Sequence, residues 1–167
     1  MIGYLRLAGI PVFLYLAFES NDGRTAAATA VFAAVTAGDY VDGLVARATG
    51  QYSRMGALMD PVVDRLAILA GAAVCWHFEL LPRWALAVLA VREVVTLALA
   101  QMALRRGLDI DITWIGRVGV LLVMSGLGLT LIFDHWATEV VFILGLAVAT
   151  LATVLYAKAG LRAIRSG

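Results

Sequence analysis

The sequence is poor in cysteine and in charge, and both shortages exclude classes of function. A single cysteine, Cys75, stands among 167 residues, which excludes an internal disulfide and any zinc cluster built on cysteine ligands. Charged residues make up 15% of the chain and the formal net charge is +1, so no nucleic-acid partner is indicated. Linkers, low-complexity tracts and clear internal repeats are also lacking, which predicts one domain over residues 1–167.

Hydrophobic residues instead make up 62% of the chain, against about 45–50% in an ordinary soluble domain, and this excess predicts an integral membrane protein. A helix that crosses the bilayer needs about 20 apolar residues, and helices are favoured because backbone polar groups must be paired inside lipid. We predict an all-α bundle of six transmembrane helices, of which the first and fifth are short and are expected to be tilted or cut short. The six stretches are Ile2–Phe18, Thr25–Ala46, Ala57–Phe78, Trp84–Leu104, Val118–Phe133 and Glu139–Ala157.

The second stretch is unusually rich in small residues, most of them alanine. Small residues let helices approach closely in lipid. The composition of this stretch therefore predicts close helix packing along it.

Basic residues are distributed unevenly between the two ends of these stretches. The connections at residues 19–24, 79–83 and 134–136 fall on one side and carry only Arg24 and Arg83. By the positive-inside rule the other side is cytoplasmic. Both termini are then predicted to face the cytoplasm from a multi-pass protein of the inner membrane. The basic residues on that side are Arg6, Arg47, Arg54, Arg65, Arg105, Arg106, Arg117, Lys158, Arg162 and Arg165.

Four aspartates interrupt the apolar chain in two pairs, Asp39 with Asp42 and Asp60 with Asp64. Residues three or four apart share one face of a helix, so the four carboxylates are predicted to converge from two antiparallel helices at the cytoplasmic end. Carboxylates in such a place are costly unless a cation joins them. Hard oxygen ligands suit Mg²⁺, Mn²⁺ or Ca²⁺, and two such ions often clamp a phosphoryl group. The pattern predicts a divalent-metal site that handles phosphate.

Small residues and one arginine accompany the aspartates. Gly43 and Gly56 would let a flat or bulky group approach the backbone, and Ala46 is small, which serves the same purpose. The guanidinium of Arg47 matches the geometry of a diphosphate oxygen. The alternative is ordinary solvation of two helix ends by Asp and Arg, which explains one pair more easily than all these positions together.

These residues form one continuous pattern that resembles, position for position, the signature of the CDP-alcohol phosphatidyltransferases. The resemblance implies an enzyme dependent on Mg²⁺ or Mn²⁺ that moves a substituted phosphoryl group from a CDP-linked donor to an alcohol and releases CMP. The six-span layout extends it over almost the whole chain. The pattern reads Asp39-x2-Asp42-Gly43-x2-Ala46-Arg47-x8-Gly56-x3-Asp60-x3-Asp64.

The resemblance also implies roles for individual residues. Asp39, Asp42 and Asp60 would ligate metal, and Asp64 would belong to the metal site and act as general base. The acceptor hydroxyl would attack the donor in line while Asp64 takes its proton. We expect direct transfer without a covalent enzyme intermediate, because both histidines are predicted near the opposite side. The residues implied for the donor nucleotide are Gly43, Ala46, Arg47 and Gly56.

The acceptor is indicated by weaker resemblances. Residues 54–65 and the pair Arg92-Glu93 resemble the phosphatidylglycerophosphate synthase and eukaryotic-type cardiolipin synthase branch. The sequence around Arg117 resembles a Gly-Lys pair of that branch, although Val120 stands where threonine is expected. We therefore expect transfer of phosphatidyl from CDP-diacylglycerol to glycerol 3-phosphate. The alternative is a cardiolipin synthase that uses phosphatidylglycerol.

Arg92 and Arg117 are the candidate residues for binding an acceptor phosphate. Arg92 lies inside an apolar stretch, where a buried arginine needs a partner and is a functional candidate by default. The alternative for both is structural, as an ion pair within the bundle or an anchor at the membrane surface. Glu93 projects about 100° away from Arg92 on a helix, so the two need not pair.

Two other functions are compatible with part of this pattern. An ion-coupled transporter is the alternative of a different class, since buried carboxylates also line ion pathways, although cation transport requires neither the glycines nor Arg47. A degenerate, non-catalytic relative is a third alternative.

Near the N-terminus, Arg6, Ile10 and Pro11 resemble the family's Arg-x-x-x-Ile-Pro pattern. The resemblance further implies a homodimer whose other partners are CDP-diacylglycerol, a small phosphorylated alcohol or lipid acceptor, and membrane lipid.

Overall fold

The structure, a computed structural model, is helical throughout the residues that it describes, which are 2–49, 54–105 and 114–165. Within these ranges, side chains are described for residues 5–38, 63–102 and 114–159. No strand occurs in the described ranges, so the all-α prediction is confirmed. The helices are α1 (Ile2–Phe18), α2 (Ala26–Thr49), α3 (Arg54–His77), α4 (Arg83–Arg105), α5 (Trp114–Thr130) and α6 (Trp136–Arg165).

The helices follow the predicted apolar stretches, with the clearest differences in α5 and α6. α5 begins at Trp114, ahead of the predicted Val118, and α6 continues to Arg165, beyond the predicted Ala157. A count of apolar residues stops at the first charges, whereas a helix continues through them when long basic side chains can reach water.

Two helices starting after short connections have recognisable caps. The hydroxyl of Thr25 accepts a hydrogen bond from the N–H of Ala28 at 3.2 Å, just before α2. Nδ1 of His135 accepts one from the N–H of Ala137 at 3.2 Å, at the start of α6. Each cap satisfies a backbone donor that the first helical turn leaves without an intrahelical acceptor.

Two segments are long and apolar enough to cross a membrane by length and composition, Arg83–Met102 in α4 and Trp136–Ala159 in α6. Shorter apolar segments among the described residues are Leu5–Phe18, Ala26–Gly38 and Trp114–Thr130. α1 and α5, the two stretches predicted to be short, are each 17 residues long. The six-span topology and the orientation of the termini remain predictions.

The chain forms two compact units, and the first contains Met1–Leu80 with Leu127–Asp134. Its core includes Phe13 of α1 and Phe32 of α2, which are almost fully buried and whose ring centroids lie 5.1 Å apart. Gly71 of α3 makes room for this pair, because a Cβ built on it would lie 2.9 Å from the ring of Phe32. Three helices therefore pack around one aromatic pair.

Connecting segments meet at one end of this first unit. Arg24 donates from Nε to the carbonyl of Thr130 and from Nη2 to Oδ1 of Asp134, each at 3.1 Å. Gly23, which has a φ of 73°, lies under the ring of Phe78, and a Cβ there would lie 2.6 Å from that ring. The connections after α1, α3 and α5 are therefore close together, in agreement with the prediction that they share one side.

The second unit contains Leu81–Gly126 and His135–Gly167. Within it α5 and α6 approach to backbone contact. A Cβ built on Gly126 would lie 2.6 Å from Cα of Phe142, and one built on Gly145 would lie 2.6 Å from the backbone of α5. Glycines at these positions are what such a close approach requires.

Most alanines of α2 make no close helix contact of the kind seen between α5 and α6. Ala28 is fully buried and Gly38 lies against Arg6, but the other alanines of this helix segment are exposed. The prediction of close packing along this stretch is therefore wrong for most of its alanines within the chain. The exposed alanines are Ala26, Ala27, Ala30, Ala33, Ala34 and Ala37.

Candidate active site

The predicted metal-site motif is divided between two helices of the first unit. Its first half lies on α2 and its second half on α3, and these helices are in contact, as the spacing predicts. Asp64 is the motif residue whose side chain the structure describes. The motif residues whose side chains lie outside the described part are Asp39, Asp42, Gly43, Ala46, Arg47, Gly56 and Asp60.

Asp64 forms an ion pair with an arginine from the first helix. Nη2 of Arg6 donates to Oδ1 of Asp64 at 2.5 Å. The side chain of Arg6 is only 2% exposed, whereas that of Asp64 is 29% exposed. A buried arginine therefore holds the carboxylate of Asp64, while part of the Asp64 side chain remains exposed.

The guanidinium of Arg6 is also fixed by α2. Its Nε donates to the carbonyl of Val35 at 2.7 Å. Gly38 leaves room for the Arg6 side chain, because a Cβ at Gly38 would lie 3.0 Å from Cδ and 3.3 Å from Nε of Arg6. Gly38 directly precedes Asp39 on α2 and Val35 lies about one turn earlier, so Arg6 joins α1 to the part of α2 just before the motif and to Asp64 of the motif on α3.

Sequence reasoning missed this role of Arg6. It counted Arg6 as one of the basic residues that set orientation and as part of an N-terminal pattern. The available signal was that Arg6 lies within an apolar helix, where an arginine needs a partner. That rule was applied to Arg92 and would have singled out Arg6 as well.

The motif predicts a divalent cation at Asp64 and the other three aspartates, because four carboxylates would give the all-oxygen donor set that Mg²⁺ and Mn²⁺ prefer. Among the side chains that the structure describes, no group of three or more His, Cys, Asp or Glu could hold a metal, since the other three motif aspartates lie outside them. The agreement of these residues with a divalent metal therefore rests on their oxygen donors and on the partial exposure of Asp64.

Arg92 is buried in the second unit and is paired with its neighbour in sequence. Its Nη1 forms an ion pair with Oε1 of Glu93, and both side chains are buried. The two residues therefore pair although the helical angle between them does not require it, in agreement with the alternative of an ion pair within the bundle. Adjacent residues point about 100° apart on a helix, but two long, flexible side chains can reach around that angle.

Threonine hydroxyls complete the surroundings of Arg92. Nε of Arg92 donates to Oγ1 of Thr153 on α6 at 3.1 Å. Oγ1 of Thr153 in turn donates to the carbonyl of Ala149 at 3.0 Å and lies 3.2 Å from Oγ1 of Thr96. The network ties α4 to α6, which is the structural role weighed for Arg92. Arg117, by contrast, is exposed near the start of α5.

The two histidines take part in structural contacts. His77 packs edge-on against Phe18 and Phe78, with ring centroids 5.1 and 4.8 Å apart. His135 uses Nδ1 to cap α6. Neither contact resembles a poised nucleophile next to a base.

Comparisons with known proteins point to one family. The profile described as CDP-alcohol phosphatidyltransferase matches residues 1–154. A Streptomyces coelicolor protein named "Cardiolipin synthase (CMP-forming)" is 32% identical over 166 residues, which are 96% of this chain and 77% of the relative. A Mycobacterium tuberculosis protein named "Probable phosphatidylglycerophosphate synthase" is 32% identical over 156 residues, 90% of this chain and 73% of the relative.

A third relative is more similar over a shorter region. The Pseudomonas fluorescens protein named "CDP-diacylglycerol–glycerol-3-phosphate 3-phosphatidyltransferase" is 35% identical over 103 residues, which are 60% of this chain and 53% of the relative. The aligned regions thus span between about half and three quarters of the lengths of these relatives.

The motif and the comparisons agree. All three relatives carry the names of synthases or transferases, which gives no support to the transporter alternative. The profile matches well over half of the chain, and it includes the helices α2 and α3 that bear the motif. The chain therefore belongs to the CDP-alcohol phosphatidyltransferase family of enzymes.

Proposed function

We propose that this protein transfers a phosphatidyl group from CDP-diacylglycerol to glycerol 3-phosphate and releases CMP. Enzymes of its family use CDP-diacylglycerol with an alcohol or lipid acceptor and generally use divalent metals. The observation that carries the proposal is the complete signature from Asp39 to Asp64, set on two contacting helices.

The aspartates are proposed to hold metal and to accept a proton. Asp39, Asp42, Asp60 and Asp64 would hold two Mg²⁺ or Mn²⁺ ions, which when bound neutralise charge on the donor diphosphate. Asp64 takes the proton of the acceptor hydroxyl as that oxygen bonds to the phosphorus of the phosphatidyl group. The bond from this phosphorus to the bridging oxygen then breaks, and CMP leaves with that oxygen.

The other signature residues are proposed to bind the donor. Gly43, Ala46 and Gly56 would line the cytidine site, where the absence of large side chains lets a nucleotide approach the helix backbone. Arg47 would contact a diphosphate oxygen through its planar guanidinium. Their placement on α2 and α3, the helices that carry the aspartates, supports this assignment.

Transfer is proposed to be direct, without a covalent enzyme intermediate. The structural contacts of His77 and His135 support this, since each uses its ring in packing or capping. Quenching the reaction with labelled donor and searching for labelled protein tests it. A covalently phosphatidylated enzyme that forms and decays at the rate of turnover would refute direct transfer.

Arg92 and Arg117 are proposed to bind the phosphate of the acceptor. Arg117 is exposed and can meet a phosphate without first losing a partner. Arg92 uses Nη1 for Glu93 and Nε for Thr153, and its positive charge is the feature that would attract the phosphate of an acceptor.

A cardiolipin synthase activity, with phosphatidylglycerol as acceptor, is the second candidate. The observation that favours it is the Streptomyces coelicolor relative, which aligns with 96% of this chain and is named for that activity. The aspartates serve either reaction equally, because both begin with attack of an alcohol on the same donor.

The enzyme is proposed to span the inner membrane six times, with both termini and the active site facing the cytoplasm. The excess of arginine at one end of the helices supports this orientation. Exposed tryptophans at helix ends, Trp76, Trp84 and Trp136, suit the interface between lipid and water. Accessibility of single cysteines to a membrane-impermeant reagent in intact cells and inverted vesicles tests the topology.

A homodimer is proposed from the family resemblance. The mass of the protein in nanodiscs, measured at low concentration, tests this proposal. A monomer that retains full turnover would refute it as a requirement for function.

One assay tests the main proposal. Purified protein in detergent or nanodiscs is incubated with CDP-diacylglycerol, Mg²⁺ and a panel of alcohols, and CMP and the lipid product are measured. We expect CMP release with glycerol 3-phosphate above all other alcohols. CMP release with phosphatidylglycerol alone would select the second candidate, and no CMP with any acceptor would reject the enzyme assignment.

A further inference from the structure

Arg6 is a charged residue in a costly place. It lies in an apolar helix and is almost fully buried, while nearby positions of α1 such as Leu5 and Tyr15 face outward. Burying a guanidinium is unfavourable unless its partners compensate. The partners of Arg6 therefore indicate what the fold gains from it.

The contacts of Arg6 use the shape of the guanidinium as well as its charge. Nε bonds to the carbonyl of Val35 on α2 at 2.7 Å, and Nη2 bonds to Asp64 on α3 at 2.5 Å. The two nitrogens belong to one rigid plane, so fixing one against the α2 backbone fixes the position of the other. A lysine has one nitrogen and cannot reproduce this bridge.

Asp64 is the residue on which this bridge acts. A charge-assisted hydrogen bond to Oδ1 restricts rotation of the carboxylate, and an active-site group works only when its orientation is held by the residues around it. Asp64 is still 29% exposed, so the restraint does not enclose it.

Arg24 shows that the same chain uses a similar clamp without any active-site residue. Arg24 bonds through Nε to a backbone carbonyl, that of Thr130, and through Nη2 to a carboxylate, that of Asp134. Its clamp lies at the other end of the first unit, and Asp134 is 86% exposed. Arg24 is therefore a matched control for Arg6.

We propose that Arg6 is a positioning residue of the active site, which orients the carboxylate of Asp64 for proton transfer and makes α1 part of the catalytic machinery. This inference rests on the proposed function, because the orientation of Asp64 matters for turnover only if Asp64 acts in the reaction. It assigns Arg6 no contact with substrate.

The first test is the kinetics of Arg6→Gln and Arg6→Lys. Misplacing a reacting group by about 1 Å can lower the rate about a hundredfold, so Arg6→Gln is expected to lower kcat by about tenfold or more while KM for CDP-diacylglycerol stays within about twofold. Arg6→Lys should recover only part of kcat. Arg24→Gln should lower thermal stability but leave kcat unchanged. An unchanged kcat in folded Arg6→Gln would overturn the proposal.

A double-mutant cycle separates positioning from general damage. If Arg6 acts through Asp64, then Arg6→Gln should have little further effect on kcat once Asp64→Asn is present. Independent effects that multiply would show that Arg6 acts by another route and would reject the proposal. The same cycle with Arg24→Gln in place of Arg6→Gln supplies the baseline for unconnected sites.

Mn²⁺ binding gives a readout that does not depend on turnover. A guanidinium next to Asp64 repels a divalent cation, so Arg6→Gln is expected to bind Mn²⁺ at least as tightly as wild type, measured by electron paramagnetic resonance of free Mn²⁺. Weaker binding together with lower kcat would indicate collapse of the site and would contradict a positioning role.

Gly38→Ala probes the same contact without changing any charge. Its Cβ would lie 3.0 Å from Cδ of Arg6, so the Arg6 side chain must give by a few tenths of an ångström, and kcat should fall in the same direction as in Arg6→Gln. Gly128→Ala, whose Cβ would lie 3.6 Å from Phe32, is the control and should keep kcat.

Failure of this inference can be told from failure of the proposed function. Wild-type protein that binds Mn²⁺ but releases no CMP would defeat the proposed function. Active wild-type protein in which Arg6 and Asp64 show no coupling in the double-mutant cycle would defeat only this inference.

Discussion

Nη2 of Arg24 lies 3.1 Å from Oδ1 of Asp134, which joins two connecting segments separated by 110 residues of sequence. The same guanidinium donates to the carbonyl of Thr130. The Arg24 side chain is 21% exposed and that of Asp134 is 86% exposed. Because an exposed ion pair contributes little to stability, the hydrogen bond to Thr130 should be the stronger part of the clamp.

Arg24→Gln is therefore expected to lower the melting temperature more than Asp134→Asn. The arginine variant loses both contacts, with a cost of about 1–2 kcal/mol, whereas the aspartate variant loses only the exposed pair, worth roughly 0–1 kcal/mol. Thermal unfolding of both variants in the same detergent measures the difference. Equal losses would show that the ion pair, and not the carbonyl bond, holds these segments together.

Asp64→Asn is expected to abolish most of the CMP release, and thermal unfolding checks that the variant is folded, since the buried Arg6 loses its anionic partner. Loss of a general base typically lowers the rate by about a hundred- to ten-thousandfold, and the amide keeps the shape of the carboxylate. Asp134→Asn makes the same chemical change at an exposed site and should retain full turnover. Asp64→Asn with wild-type kcat would remove Asp64 from the role of base.

Removing divalent metal is expected to stop turnover and to lower thermal stability. Carboxylates gathered in one place repel each other when no cation joins them, so a bound ion should stabilise the folded state increasingly as its free concentration rises above its Kd. Dialysis against a chelator, followed by titration with Mg²⁺ or Mn²⁺, should restore both CMP release and melting temperature. Turnover that survives metal removal would contradict the proposed metal role of the aspartates.

The helices could be predicted from the sequence because long apolar runs leave few alternatives in lipid. The motif could be placed on α2 and α3 for the same reason, together with the helical spacing of its aspartates. The start of α5 and the end of α6 could not be predicted in this way. Each predicted apolar stretch stops at a charged residue, such as Arg117 or Lys158, but these residues lie inside the helices.

Contacts between helices were much harder to predict than the helices. The sequence places Arg6 only among the basic residues of the predicted cytoplasmic side, yet the structure buries it in contact with α2 and α3. The pairing of Arg92 with Glu93 could not be predicted, because helical angles describe only the directions of Cβ atoms, while the distal atoms of the two side chains meet. Composition alone does not specify which neighbour a side chain reaches.

Gly126→Ala is expected to destabilise the second unit. The added Cβ would lie 2.6 Å from Cα of Phe142, so the backbones of α5 and α6 must separate, and overpacking of this kind costs about 1–3 kcal/mol. Gly128→Ala, two residues further along α5, meets Phe32 only at 3.6 Å and should be nearly neutral. Melting temperatures of the two variants check this, and equal values would mean that α5 and α6 can move apart at no cost.

Arg92→Gln tests the acceptor site, but the single substitution also disturbs folding. Removing one partner of a buried ion pair costs roughly 3–5 kcal/mol, because the carboxylate of Glu93 remains buried. The double variant Arg92→Gln with Glu93→Gln removes both charges and should be more stable than the single variant. Thermal unfolding decides whether the double variant is folded well enough for kinetics.

In the folded double variant, KM for glycerol 3-phosphate is expected to rise while KM for CDP-diacylglycerol stays unchanged. A hydrogen bond to a charged phosphate contributes about 1.5–3 kcal/mol, which corresponds to a rise of about ten- to a hundredfold. Thr153→Val removes the hydroxyl that holds Nε of Arg92 but keeps the charge, so it should raise the same KM by a smaller factor. If the acceptor KM is unchanged in both variants, Arg92 serves only to join α4 to α6, and the phosphate must be bound by other residues, with Arg117 the next to test.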